Sequence, residues 1–145
     1  MNINFEVAQL DDVEGIIRLC NECFFEETDV NEAEKIFDAT KGNPDDIYVV
    51  GKLNGNIIAH AKVTIIKTIY NPMGTYAILN HVCVKPEYRR NGYATLMLDY
   101  IKDICEKNNC NKMELWSNNV RTAAHACYYH YGFELDDAGF FHKSI

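Results

Sequence analysis

Positive charge is scarce in this sequence: 145 residues carry 14 lysines and arginines against 21 aspartates and glutamates, a formal net charge of −7. Such a chain lacks the diffuse positive field that non-specific nucleic-acid or membrane-surface binding requires. Neither nucleic acid nor membrane is therefore expected as a partner, and any anion site has to be local. No stretch approaches the roughly 18 uninterrupted apolar residues of a membrane span. The opening MNINFEVAQLDD has no cationic flank ahead of a long apolar run, so it does not read as a secretory signal and a cytoplasmic location is the default. There is no linker, internal repeat or low-complexity segment.

What is present is a hydrophobic share of 48% with 24% charged residues, too apolar for a disordered chain. The length suits one domain, read as residues 1–145. Cys20 and Cys23 have metal-ligand spacing, but they lie in a helical pattern and no second pair follows. With Cys83, Cys105, Cys110 and Cys127 they read as reduced core residues. No His, Cys or carboxylate set has metal geometry, so no metal is expected.

Ile3, Phe5 and Val7 alternate with polar neighbours, which predicts a first strand with one buried face. Asp11 and Asp12 suit the start of a helix with the stripe Val13, Ile16, Ile17 and Cys20, and a second helix is expected over Val30 to Ala39. Ile47 to Leu53 and Asn56 to Ile69 are rich in β-branched residues and meet at Asn54-Gly55, a type I′ hairpin signal. A third strand, Tyr76 to Val84, completes an antiparallel meander. Ala94, Met97, Leu98, Ile101, Ile104 and Cys105 then recur at helical spacing. A short strand at Lys112 to Trp116 follows, then a helix from Val120 to Tyr131. Phe133 to Ile145 can supply two more short strands turning near Asp136 to Gly139. The second half thus predicts a strand–helix–strand crossover in a mixed α/β sheet.

The stretch Val82-Cys83-Val84-Lys85-Pro86-Glu87-Tyr88-Arg89-Arg90-Asn91-Gly92-Tyr93-Ala94 places a basic loop and a glycine between a strand end and an amphipathic helix. Free N–H groups and the positive dipole end at a helix start form a phosphate site. Gly92 admits an anion close to the backbone, and Arg89 and Arg90 can add charge-assisted bonds. A solvated basic turn explains the same residues equally well. Neither Gly-x-Gly-x-x-Gly nor Gly-Lys-Ser/Thr is present, so this is no Walker or Rossmann cradle.

Arg89-x-x-Gly92-x-Ala94 resembles the Gln/Arg-x-x-Gly-x-Gly/Ala signature of the GNAT superfamily of N-acetyltransferases, and it stands after a strand and opens a helix as that family requires. Arg121-x-x-Ala124-His125-x-x-Tyr128-x-x-x-Gly132-Phe133, about 30 residues on, is similar to the family's later motif. The resemblance implies an α/β fold with a mixed, mostly antiparallel central sheet, splayed central strands and about four flanking helices. It further implies direct transfer of the acetyl group of acetyl-CoA, as co-substrate, to a primary amine of a small molecule or peptide. The pyrophosphate would sit on the amides of Arg90, Asn91, Gly92, Tyr93, Ala94 and Thr95. The strand Val82, Cys83 and Val84 would bond the pantetheine arm, with the Val82 N–H as oxyanion donor. Arg121 would complete the coenzyme set.

By the same resemblance Tyr128 would be the general acid that protonates the departing thiolate, and it would also touch the coenzyme. A thiol near about 8.5 and a phenol near about 10 exchange protons readily. The residue two before the oxyanion donor, often Glu or His in the family, is Asn80 here, which leaves the base open. His81 is adjacent, although strict strand alternation turns it away from Asn80, Val82 and Val84. A bulge would change that, and a water chain ending on Glu26, Glu27 or solvent is the other route. The acceptor would enter past Phe24, Glu26, Glu27 and Asn80. Together with Asp29, Asp136 and Asp137, the two glutamates would make an acidic mouth suited to a cationic amine. Asn80 also keeps open a non-catalytic acyl-CoA sensor or interaction module of the same fold. A domain binding another phosphate-bearing ligand and a homodimer are open too.

Overall fold

The alternating and helical patterns become five strands and four α-helices in the computed structural model, which describes residues 2–145. In chain order they are β1 (Asn4–Val7), α1 (Val13–Phe24), α2 (Val30–Thr40), β2 (Asp46–Leu53), β3 (Asn56–Lys67), β4 (Thr75–Val84), α3 (Tyr93–Lys107), β5 (Met113–Leu115) and α4 (Thr122–Tyr131). The strands lie side by side in the order β1-β2-β3-β4-β5. Neighbours run antiparallel except β4 and β5, which are parallel and joined across α3. This is the mixed, mostly antiparallel sheet that the motifs imply. Among the described residues no helix is long and apolar enough to cross a membrane.

Local chemistry explains the joints. Asn54 and Gly55 take φ of 52° and 81°, the left-handed pair that a type I′ turn needs to match strand twist. Asp29 caps α2, its carboxylate accepting from the Glu32 N–H at 3.0 Å. Asp12 does not cap α1. The chain enters that helix through a 3-10 turn at Leu10–Asp12, so the buried Asp12 carboxylate reaches back to the Gln9 N–H at 2.8 Å and pairs with Lys52, also at 2.8 Å.

Successive strand residues point to opposite faces, so adjacent residues serve two cores. Val50 and Cys83 lie with Ile16, Leu19, Cys20 and Phe37 of α1 and α2. Val49, Leu79, Val82 and Val84 lie with Met97, Leu98 and Ile101 of α3 and Tyr128 of α4.

Two expectations fail. Phe133 to Ile145 forms no strand. Phe133 packs on Tyr128 and Tyr131 and Phe140 on Trp116, but Leu135, Phe141 and Ile145 are exposed. Without a buried face, an alternating pattern does not specify a ladder. In β1 the buried face is incomplete, because Val7, on a strand that pairs only with β2, is 46% exposed.

Candidate active site

The parallel pair β4–β5 is matched only from Ala77↔Met113 to Leu79↔Leu115. Beyond that, β4 continues through Val84 beside β3 alone, so the sheet opens. Just there β4 bulges: His60 and Lys62 of β3 face Cys83 and Asn80, which leaves His81 and Val82 opposite the single residue Ala61. His81 adopts the left-handed conformation at φ 51°, at a cost of about 1–2 kcal/mol for a residue with a Cβ.

A cleft of about 270 Å³ occupies the opening and draws on both faces of the sheet. Phe24 and Glu26 come from the end of α1, Asn80, His81 and Val82 from the bulge, and Trp116, Ser117 and Asn118 from beyond β5. Tyr128 belongs to α4, and Arg121 is the residue at its N-cap. His81 therefore reaches the same cleft as Asn80 and Val82, despite the alternation that argues against it. Its Nε2 lies 3.1 Å from both carboxylate oxygens of Glu26, and its ring meets the Phe24 ring edge-on at 4.9 Å. Imidazole and carboxylate thus form a pair at the cleft wall, the arrangement that relays a proton to solvent.

The tyrosines of α4 separate clearly. Tyr131 donates its hydroxyl to Asp99 at 2.8 Å and Tyr129 is exposed, whereas Tyr128 is buried and lines the cleft. Burial pushes the Tyr128 phenol above its ordinary value, with the nearby Arg121 charge opposing this, so the phenol keeps its proton through neutral pH. Gly132, left-handed at φ 113°, ends the helix, and the Gly132 and Phe133 N–H groups return to the Tyr128 carbonyl at 3.1 and 2.9 Å. These bonds and the Phe133 ring fix where Tyr128 stands.

The loop after β4 leaves a run of backbone donors of the kind that can hold an anion. Arg90 and Gly92 are left-handed at φ 66° and 77°, and among the described residues the N–H groups of 90–95 donate to no protein acceptor. Left-handed residues at a helix start create a concave nest of such donors. Asn91 braces it from below, its amide donating to the Tyr88 and Arg89 carbonyls. The two arginines differ: the Arg89 Nε donates to the Val84 carbonyl at 2.9 Å and its Nη2 reaches Cys23 Sγ at 3.8 Å, while Arg90 is exposed and its side chain has no hydrogen bond or ion pair among the described residues. Lys85 is shared between Glu22 and Glu87.

Not every expected residue arrives. Glu27, Asp29, Asp136 and Asp137 are not among the residues that line the cleft. Trp116, Ser117 and Asn118 were not expected; their only sequence signal is that they follow the carboxyl end of a parallel strand, where such sheets bind ligands. Cys23 also differs from a plain core thiol. Hydrogen bonding with Cys83 first, and then Arg89, lowers it to about 7 against the opposing effect of burial.

An opened parallel pair, a buried tyrosine in the cleft it leaves and an N–H nest at a helix start are features found in α/β domains that bind phosphate-bearing ligands at the ends of parallel strands. The acetyltransferase (GNAT) family model matches residues 13–133, and the chain belongs to that family. No curated protein sequence matches. Among solved structures, a candidate acetyltransferase from Agrobacterium tumefaciens superposes with a TM-score of 0.87 at 23% identity, covering 97% of this chain and 99% of that one. A protein from Clostridium acetobutylicum, predicted to be an acetyltransferase and solved with acetyl-CoA, gives 0.80 at 22%, covering 98% and 96%. Glucosamine-6-phosphate N-acetyltransferase from Arabidopsis thaliana gives 0.84 at 17%, covering 99% of each.

Proposed function

We propose that this chain transfers the acetyl group of acetyl-CoA directly to the primary amine of a small molecule or peptide, within one domain spanning 1–145. The observation that carries this reading is the meeting of Val82, Tyr128 and the His81–Glu26 pair in one cleft, lined in part by the strand that leads into the N–H nest. The family and the relative solved with acetyl-CoA support the choice of donor. In the reaction the amine nitrogen bonds to the thioester carbonyl carbon and the carbon–sulfur bond breaks. The Val82 N–H stabilises the carbonyl oxygen as it gains charge. The Tyr128 hydroxyl gives its proton to the leaving thiolate, and the proton lost by the amine passes to His81 and Glu26 or to water. The products are the N-acetyl amine and free coenzyme A. Asn80, Cys83 and Val84 flank this path, and residues 90–95 would hold the pyrophosphate.

The test is Tyr128→Phe, with thiol release followed across a panel of amines. General acid catalysis contributes about 10²- to 10⁴-fold, so kcat should fall by that order, and the alkaline limb of its pH profile, set above about 10 by the raised phenol, should vanish. An unchanged rate and limb would remove Tyr128 from the chemistry. Binding of acetyl-CoA with no thiol released from any amine would instead favour a sensor of the same fold, the reading that Asn80 keeps open.

A further inference from the structure

We propose that the acceptor amine carries an oxyanion, a carboxylate, phosphonate or sulfonate, and that the β5–α4 side of the cleft receives it through Arg121 and Ser117. This deepens the acetyltransferase reading and rests on it. Three observations carry it. First, the half-buried Arg121 guanidinium has no carboxylate partner among the described residues; it lies 4.9 Å over the Phe24 ring, at the start of α4 and in the cleft lining. A half-buried guanidinium stacked on an aromatic face, beside the positive end of a helix, is a ready bidentate site for an oxyanion. Second, the buried Ser117 hydroxyl lines the same cleft and has no hydrogen-bond partner, a donor that structures seldom leave unused.

Third, the one carboxylate in the cleft lining, Glu26, forms no ion pair with Arg121. Glu26 is engaged through both oxygens by His81, and His81 and Arg121 meet the Phe24 ring separately. The remaining acidic residues of the expected mouth do not line the cleft: Asp29 caps α2, and Glu27, Asp136 and Asp137 are not among its walls. The cleft is thus polarised, with a carboxylate–imidazole pair on one side and a cation with a free hydroxyl on the other. An amine presented to the first and an oxyanion held by the second describe a small, zwitterion-like acceptor. A volume of about 270 Å³ suits such a molecule.

The experiment compares amines that share one reacting end. 3-Aminopropanoate, 2-aminoethylphosphonate and taurine are set against propylamine and 1,3-diaminopropane, with thiol release giving kcat and KM. The wild type should favour the best anionic amine over propylamine by tenfold or more in kcat/KM, mostly through KM, with the diamine poorest. Arg121→Gln should abolish that ratio and Arg121→Lys should retain part of it, while the KM for acetyl-CoA stays within about twofold. Equal or better turnover of the neutral or cationic amine overturns the proposal. So does an Arg121→Gln variant that keeps the ratio, or one that raises the KM for acetyl-CoA in its place, which would assign Arg121 to the coenzyme. If no amine releases thiol, the acetyltransferase reading fails, and thermal shifts of the coenzyme A-bound protein decide the subsite. A rise with 2-aminoethylphosphonate that propylamine does not give, lost in Arg121→Gln, supports it; no such rise overturns it.

Discussion

The two halves of β4 make a useful contrast. From Thr75 to Leu79 the strand keeps unbroken register with β3, pairs with β5 from Ala77 onward, and buries Ala77 and Leu79 almost completely. From Asn80 to Val84 it bulges, carries a left-handed histidine and has lost β5. The first half is ordinary sheet, in which every strand residue serves packing or pairing. The second half surrenders one ladder of hydrogen bonds and takes on backbone strain, and the cleft exists because of it. Those losses are offset from below and behind: the Val84 carbonyl accepts from Arg89 Nε, and His60 of β3 sits opposite Cys83 with its Nδ1 2.8 Å from the Val49 carbonyl.

The largest effect expected from probing this contrast concerns His60. It is almost fully buried, and burial lowers it to about 4, with the Val49 hydrogen bond opposing and the charge of His81 adding to the shift. Its folded value lies below the unfolded one, near 6.5, so the unfolded chain binds the extra proton between those values. The contribution to stability is complete above about pH 6.5 and is lost as pH falls towards 4, amounting to about 3 kcal/mol. Urea midpoints at pH 7 and pH 4.5 should show this loss in the wild type and a smaller one in His60→Gln. Equal losses would mean that the support beneath the bulge is not the acid-sensitive element.

The same contrast explains what the sequence could reveal. The regular half of β4, the Asn54-Gly55 turn and α3 follow periodicities and turn chemistry that act over a few residues, and they form as read. The nest was legible for a similar reason, since Gly92 in a basic loop before an amphipathic helix is a local signal. His81 was hidden because alternation assigns it to the wrong side unless a bulge intervenes, and one extra residue opposite Ala61 has no signature of its own. The proposed acceptor end was less legible still: Phe24, Glu26, His81, Ser117 and Arg121 come from three separate segments that only the fold brings together. The tail after Gly132 misled for the opposite reason, its local alternation having no core to face.

A smaller effect is expected where the irregular half runs into the nest. A Cβ at Gly92 would meet nothing within 4 Å, so only its φ of 77° resists substitution. Gly92→Ala then costs about 1–2 kcal/mol in the nest conformation. The KM for acetyl-CoA should rise about tenfold, the same free energy at 1.4 kcal/mol per tenfold, with kcat changing less. An unaltered KM would separate the coenzyme from this loop and leave β4 as the only irregular feature tied to function.

The smallest effect tests the joint between the two cores. Cys23 of α1 donates its thiol to the Val84 carbonyl at 3.7 Å, but hydrogen bonding with Cys83 first, and then with the Arg89 guanidinium at 3.8 Å, favours the thiolate next to the end of the irregular half. Burial raises Cys105 to about 12, and burial also raises Cys110 and Cys127. Limited alkylation at pH 7.5 with mass-spectrometric mapping should label Cys23 first by severalfold. Arg89→Gln should slow that labelling without changing the labelling of Cys127. If Cys127 or Cys110 leads in the unmodified chain, exposure rather than the Arg89 contact governs thiol reactivity. The end of β4 would then be chemically as quiet as its beginning.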